Sequence, residues 1–147
     1  DRCTRSHEMV YMFAKCPTNY YDADAIAEKS NATEGNFSQR YAAAQPDHGG
    51  KSESRVYELR NKRTVWNVNP QGTPEAHFAT FPPKLIEPMI LAGSPRNGIV
   101  YDPFMGSGTT ALVARKLGRQ YIGSELNPEY VAIAERRLSA PYTPVMF

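Results

Sequence analysis

An aspartate, two closely spaced glycines, a pair of threonines and a glutamate further along are the side chains here whose types and spacing could do chemistry together. They stand in Asp102-Pro-Phe-Met-Gly-Ser-Gly-Thr-Thr110 and in Gln120-Tyr-Ile-Gly-Ser-Glu125. Gly106 and Gly108 let the backbone turn sharply and approach a ligand with no Cβ in the way. The free N–H groups of a helix starting just beyond them face the same space, with Thr109 or Thr110 able to cap it. Glu125 stands about twenty residues past the turn, where an acidic side chain accepts both ribose hydroxyls of an adenosine ligand. Together these suit a nucleotide-like cofactor. A Walker-type phosphate loop is disfavoured, because it needs a lysine immediately before the Ser/Thr and a longer spacing between glycines, and this segment has neither. A dinucleotide fingerprint stays open on pattern alone, since Ala111 stands at its third glycine position and the motif allows alanine there. So does the plain alternative of a glycine turn that closes a strand–helix corner, followed by a solvated strand-end glutamate.

A second group is basic and aromatic. Arg55, Arg60, Lys62 and Arg63 lead into Trp66. An ordinary solvated face explains the charges as well as phosphate contact does, and a lone tryptophan is more often core than surface. An aromatic beside cations nevertheless suits stacking on a displaced base. His7, His48 and His77 are too scattered for a metal site.

The elements that must position these residues follow from pattern. Residues 98–101 form a short apolar, β-branched run expected as a buried parallel strand. Residues 110–117 are expected as a helix that Gly118 stops, and residues 120–125 as the next strand, apolar-rich and ending in the Glu125 carboxylate. Asn127 caps a last helix with Pro128 in its first turn, and Tyr130, Val131, Ala134 and Leu138 share one face. This order of strand, turn, helix, strand and helix is a parallel α/β unit. Upstream, residues 84–92 are expected as a helix with Leu85, Ile86, Met89 and Ile90 on one face and Pro88 bending it. Residues 8–14 are a dense apolar run expected as a central strand, and the alternation at 64–68 predicts another. Residues 26–51, poor in large apolar side chains, are expected as a flexible loop long enough to suggest a functional surface.

The chain has 147 residues and a formal net charge of +2. That is the size of one domain, and any polyanion must be met by a local cluster rather than by the whole-chain charge. The two cysteines, Cys3 and Cys16, with no signal peptide and no long apolar run, fit a reduced, cytoplasmic protein with no membrane partner.

The glycine segment followed by Tyr121-Ile-Gly-Ser-Glu-Leu-Asn-Pro-Glu-Tyr130 resembles the cofactor site of DNA amino-methyltransferases, which methylate adenine N6 or cytosine N4. The resemblance implies a partial Rossmann-like α/β fold, a mixed, mostly parallel sheet flanked by helices, with S-adenosylmethionine as cofactor and DNA as partner. It implies that Asp102 orients the methionine ammonium, a charge-assisted contact, Phe104 packs on the adenine or methionine stem, and Glu125 holds the ribose. Gly106, Ser107, Gly108, Thr109 and Asn127 complete that lobe, and Ala79, Thr80 and Phe81 touch the methionine end. It further implies that Arg60, Lys62, Arg63 and Trp66 belong to the segment lining the target-base pocket. The family's Asp/Asn/Ser-Pro-Pro-aromatic tetrapeptide, which holds the target amino group, is not found in this sequence, so no catalytic residue is assigned. The expectation is the C-terminal, cofactor-binding portion of such an enzyme, with an exposed sheet edge open to self-association or to a missing N-terminal segment. Two rivals stand beside it. One is a non-catalytic nucleic-acid-binding or regulatory module with a relic pocket; the other is an NAD-linked oxidoreductase.

Overall fold

The computed structural model describes residue 3 and residues 7–30, 59–69 and 81–141. Their elements run β1 (Glu28–Lys29), β2 (Leu59–Arg60), α1 (Pro83–Gly93), β3 (Ile99–Asp102), α2 (Thr109–Lys116), β4 (Gln120–Gly123) and α3 (Pro128–Ser139), with a single 3-10 turn at Asp24–Ile26. The parallel α/β unit expected from the pattern is β3–α2–β4–α3. In it β3 and β4 pair in parallel, with Val100 opposite Tyr121 and Asp102 opposite Gly123. That register brings the acid ending β3 and the carboxylate two residues past β4 to the same end of the strand pair. The described strands form two separate pairs, this parallel one and the antiparallel β1–β2.

Local chemistry explains the helix ends. Pro83 opens α1, where its missing N–H costs nothing, and the helix continues through Pro88 to Gly93. At the end of α2, Gly118 takes φ +72°, and the Gly118 and Arg119 amides donate to the Arg115 and Ala114 carbonyls. Asn127 caps α3, its Oδ1 accepting from the Glu129 amide at 2.9 Å. No threonine caps α2, however. Gly108 holds the N-cap position in the left-handed region without a side-chain cap, and Thr110 turns instead to Asp102.

The core sits where α1 crosses α2. Ile86, Ile90, Val113, Ala114 and Leu117 are buried together, with Met89, Leu91 and Val100 against them. Of the face expected on α3 only Ala134 is buried. The far side of the strand pair is open, leaving Ile99, Tyr101 and Ile122 exposed, so β3 is covered on one face only and is not the buried strand expected.

Two expected strands do not form. Residues 8–14 have no regular structure, and Met9, Val10, Tyr11, Met12 and Phe13 are all exposed. Apolar composition alone cannot make a strand: its backbone needs a neighbour to exchange hydrogen bonds with, and among the described residues none lies alongside. Residues 64–68 are irregular as well, and the pairing occurs one step earlier, with Leu59 and Arg60 against Lys29 and Glu28. The expected flexible loop therefore starts with a strand inside its first residues, and residues 31–51 lie outside the described ones. No helix among the described residues is long and apolar enough to cross a membrane.

Candidate functional site

The turn after β3 is built around two carboxylates. Asp102 Oδ1 accepts from the Phe104 amide at 3.0 Å and Oδ2 from the Thr110 hydroxyl at 2.5 Å, so the strand end, the turn and the first turn of α2 are drawn together. Glu125 Oε2 accepts from the Gly106 amide at 2.8 Å and Oε1 from the Asn127 amide at 2.9 Å. The Asn127 amide first, then that of Gly106, with a smaller contribution from Leu126, hold the Glu125 carboxyl below its ordinary pKa against a partial loss of solvent. It is therefore an ionised, acceptor-only group at neutral pH. The Gly106 and Asn127 amides place one hydrogen bond on each oxygen, which leaves lone-pair capacity on the carboxylate for further donors.

The two glycines are needed for different reasons. Gly106 takes φ +53°, and a Cβ placed there would meet nothing nearer than the Phe104 carbonyl at 4.0 Å. Its conformation favours glycine, and the space before it is free for a close approach. Gly108 takes φ +82°, and its Cβ would fall 2.9 Å from that of Ala134. This glycine lets the turn press against α3.

From α3 comes a residue that the sequence pattern did not single out. Arg137 Nη1 donates to the Ser107 carbonyl at 2.7 Å, to Ser107 Oγ at 2.8 Å and, more weakly, to Thr109 Oγ1 at 3.4 Å. Ser107 and Thr109 are buried, so their side chains brace the turn from inside. Phe104 stands at the opposite extreme at 86% exposure, its ring available to pack on a ligand. Phe81 is exposed just ahead of α1, and Ala79 and Thr80 lie outside the described residues. Between β4 and α3 a cavity of about 530 Å³ opens beside Gly106 and Glu125, walled by Tyr121, Val131 and Leu138.

The basic group gathers elsewhere, around an acid that pattern alone did not connect to it. Glu28 in β1 lies 3.7 Å from Arg60 Nη2, 3.3 Å from Lys62 Nζ and 3.1 Å from Arg63 Nε. Partial desolvation acts to raise its pKa, but the hydrogen bonds from Arg63 and Lys62 prevail and hold it low. Lys62 Nζ also lies 5.2 Å from the centroid of Trp66, within cation–π range. The Trp66 indole donates to the Arg63 carbonyl at 2.7 Å. Glu28, Lys62, Arg63 and Trp66 line one wall of a groove of about 650 Å³ whose other wall is α1, through Lys84 and Glu87. Trp66 is thus a half-buried groove residue rather than a core one.

A family model described as DNA methylase, N6_N4_Mtase, matches residues 1–136. Among curated proteins the chain is 44% identical over 146 residues to the type II methyltransferase M.Cfr9I of Citrobacter freundii, covering 99% of this chain and 41% of that protein. It is 38% identical over 138 residues to the type II methyltransferase M.SmaI of Serratia marcescens, covering 94% of this chain and 40% of that one. A solved complex of M1.HpyAVI with SAM aligns at 35% identity and a TM-score of 0.48, over 62% of this chain and 43% of that chain. The chain spans about two fifths of the length of the curated relatives it matches. By a family match over residues 1–136 of its 147, this chain belongs to the N6_N4 DNA methylases.

Proposed function

We propose that this chain binds S-adenosylmethionine and serves methyl transfer to an exocyclic amino nitrogen of adenine or cytosine in DNA. The observation that carries the proposal is the Glu125 carboxylate, whose pKa is held low first by the Asn127 amide and then by that of Gly106, in the glycine turn that would lie against the ligand. Its remaining acceptor capacity suits the two hydroxyls of a ribose. Asp102, at the neighbouring strand end, offers a carboxylate to the methionine ammonium while its hydrogen bonds to Phe104 and Thr110 keep it in place. Exposed Phe104 offers a ring to the adenine or the methionine stem, Gly106 gives the close backbone approach, and Gly108, Ser107, Thr109 and Asn127 keep the lobe in shape. Ala79, Thr80 and Phe81 are proposed for the methionine end. The cofactor supplies an already activated methyl group, so the chain's own work is positioning and electrostatics. Away from that pocket, Arg60, Lys62, Arg63 and Trp66 would meet DNA around a flipped base.

Isothermal titration tests the cofactor half of the proposal. Binding of S-adenosylmethionine without NAD is the expected result, and the reverse preference would sink it. A second function has one observation in its favour: these 147 residues contain no Asp/Asn/Ser-Pro-Pro-aromatic tetrapeptide to hold the acceptor. A module that binds cofactor and nucleic acid without transferring a methyl group would satisfy that. Incorporation of labelled methyl into DNA decides between the two. Self-association through the open β3–β4 pair belongs to the same proposal, and a clean monomer by light scattering counts against it.

A further inference from the structure

Glu28 occupies an unusual electrostatic position for a residue on a short surface strand. Three cationic side chains close on its single carboxylate, leaving the cluster with a surplus of two positive charges even when the ion pairs are made. On the α1 side of the groove, Lys84 and Glu87 offset one another. The Arg60 Nε, moreover, is buried and has no hydrogen-bond partner, so the acid leaves donor capacity unused. Guanidinium and ammonium groups converging on a pair of oxygens beside an aromatic face form the arrangement that holds a phosphodiester with its base stacked. Here a carboxylate fills the place of the phosphate.

We propose that Glu28 is an internal stand-in for a nucleic-acid phosphate, displaced when a strand enters the groove beside Trp66. The proposal rests on Arg60, Lys62, Arg63 and Trp66 facing DNA. The cations exchange one anion for another, so a phosphate meets side chains that are already gathered but already partly neutralised. Glu28 thereby sets both the affinity and the salt dependence of this contact. Each phosphate met by an uncompensated cation releases condensed counterions and steepens the dependence of log affinity on log salt by about 0.9 for duplex DNA, or about 0.7 for a single strand. A pre-neutralised cation contributes less.

The test is fluorescence anisotropy with a labelled oligonucleotide over a series of salt concentrations, comparing the intact chain with Glu28→Gln. Glutamine keeps the size of the side chain and removes its charge. The variant is expected to bind several-fold more tightly at low salt, with a slope steeper by about 0.9 per phosphate gained. Equal or weaker binding, or an unchanged or shallower slope, from a variant that melts at the parent temperature overturns the exchange. If the parent binds DNA with a clear salt slope and the variant matches it, only the role of Glu28 fails. If neither chain binds DNA, the DNA-facing assignment fails along with it. A measurement on the unaltered chain guards against a misfolded variant. The Arg63 Nε–H resonance should move when the oligonucleotide is added, as its partner changes from carboxylate to phosphate, and a resonance that stays in place overturns the proposal.

Discussion

The glycine-turn lobe and the Glu28 groove both gather charged side chains, but they hold them by different means. In the lobe the carboxylates are fixed by backbone: Glu125 by the Gly106 and Asn127 amides, and Asp102 by the Phe104 amide with help from Thr110. Backbone donors cannot swing away, and parallel strands set their positions. In the groove, one carboxylate is shared among long side chains, of which Arg63 is 68% exposed. Such pairs are screened by salt and lose entropy on forming, so each contributes little to stability. The first arrangement preorganises a site for a fixed ligand shape. The second is labile by construction, as suits a surface that must meet a long, flexible polyanion.

Substitutions that break the lobe should have the largest effects. Gly108→Val places a side chain at φ +82° and against Ala134, and we expect a loss of about 2–4 kcal/mol by chemical denaturation. Gly106→Ala meets the strain without the clash, so it should be clearly the milder of the two. Arg137→Met leaves the Ser107 carbonyl and hydroxyl without their donor, a cost of about 1–3 kcal/mol. Weaker binding of S-adenosylmethionine should accompany it, with partial recovery in Arg137→Lys. If calorimetry shows Arg137→Met altering stability and leaving cofactor affinity untouched, the arginine braces the fold and not the site.

Glu125→Gln should weaken cofactor binding roughly ten- to a hundredfold, measured by titration, with a smaller effect on folding. Its pH behaviour follows from the lowered pKa. A carboxyl whose folded pKa lies below its unfolded one contributes stability that is fully present above the unfolded pKa of 4.5 and is lost as pH falls through the folded value. The gap in melting temperature between parent and Glu125→Gln should therefore be constant near neutrality and close only well below pH 4.5. A gap that closes between pH 6 and 8, roughly the histidine range, would contradict the assignment. The smallest effect belongs to the groove. Arg63→Gln should leave the melting temperature unchanged while lowering the salt sensitivity of DNA binding, and an equally large loss of stability would erase the distinction between the two regions.

Local signals carried most of the lobe. The glycines, the Asn127 cap with Pro128, the stop at Gly118 and the two short strands all follow from side chains within a few residues of their effect, and each is found where its pattern lies. What sequence could not supply were partners from far along the chain. Arg137 reaches back 30 residues to Ser107, and Glu28 waits 34 residues ahead of Lys62. Neither spacing corresponds to a helical or strand period. The failed strands share that cause: residues 8–14 and 64–68 have the composition, but pairing is a property of two segments, and only one was in view. The threonines show a subtler limit. A Ser or Thr beside a helix start suggests a cap, yet Thr110 had a better acceptor in Asp102, eight residues before it.

The hydrogen bond from Gly106 to Glu125 gives the molecule a built-in sensor. An amide whose acceptor is a carboxylate exchanges its proton with solvent only when that pair opens. Anything that occupies the remaining lone pairs of Glu125 must alter how often it does so. By thermodynamic reciprocity, a restraint placed on the glycine turn must alter the affinity of Glu125 for its ligand by the same factor. Hydrogen exchange at a single backbone position would thus register occupancy of the neighbouring pocket, with no label attached and no substrate turned over.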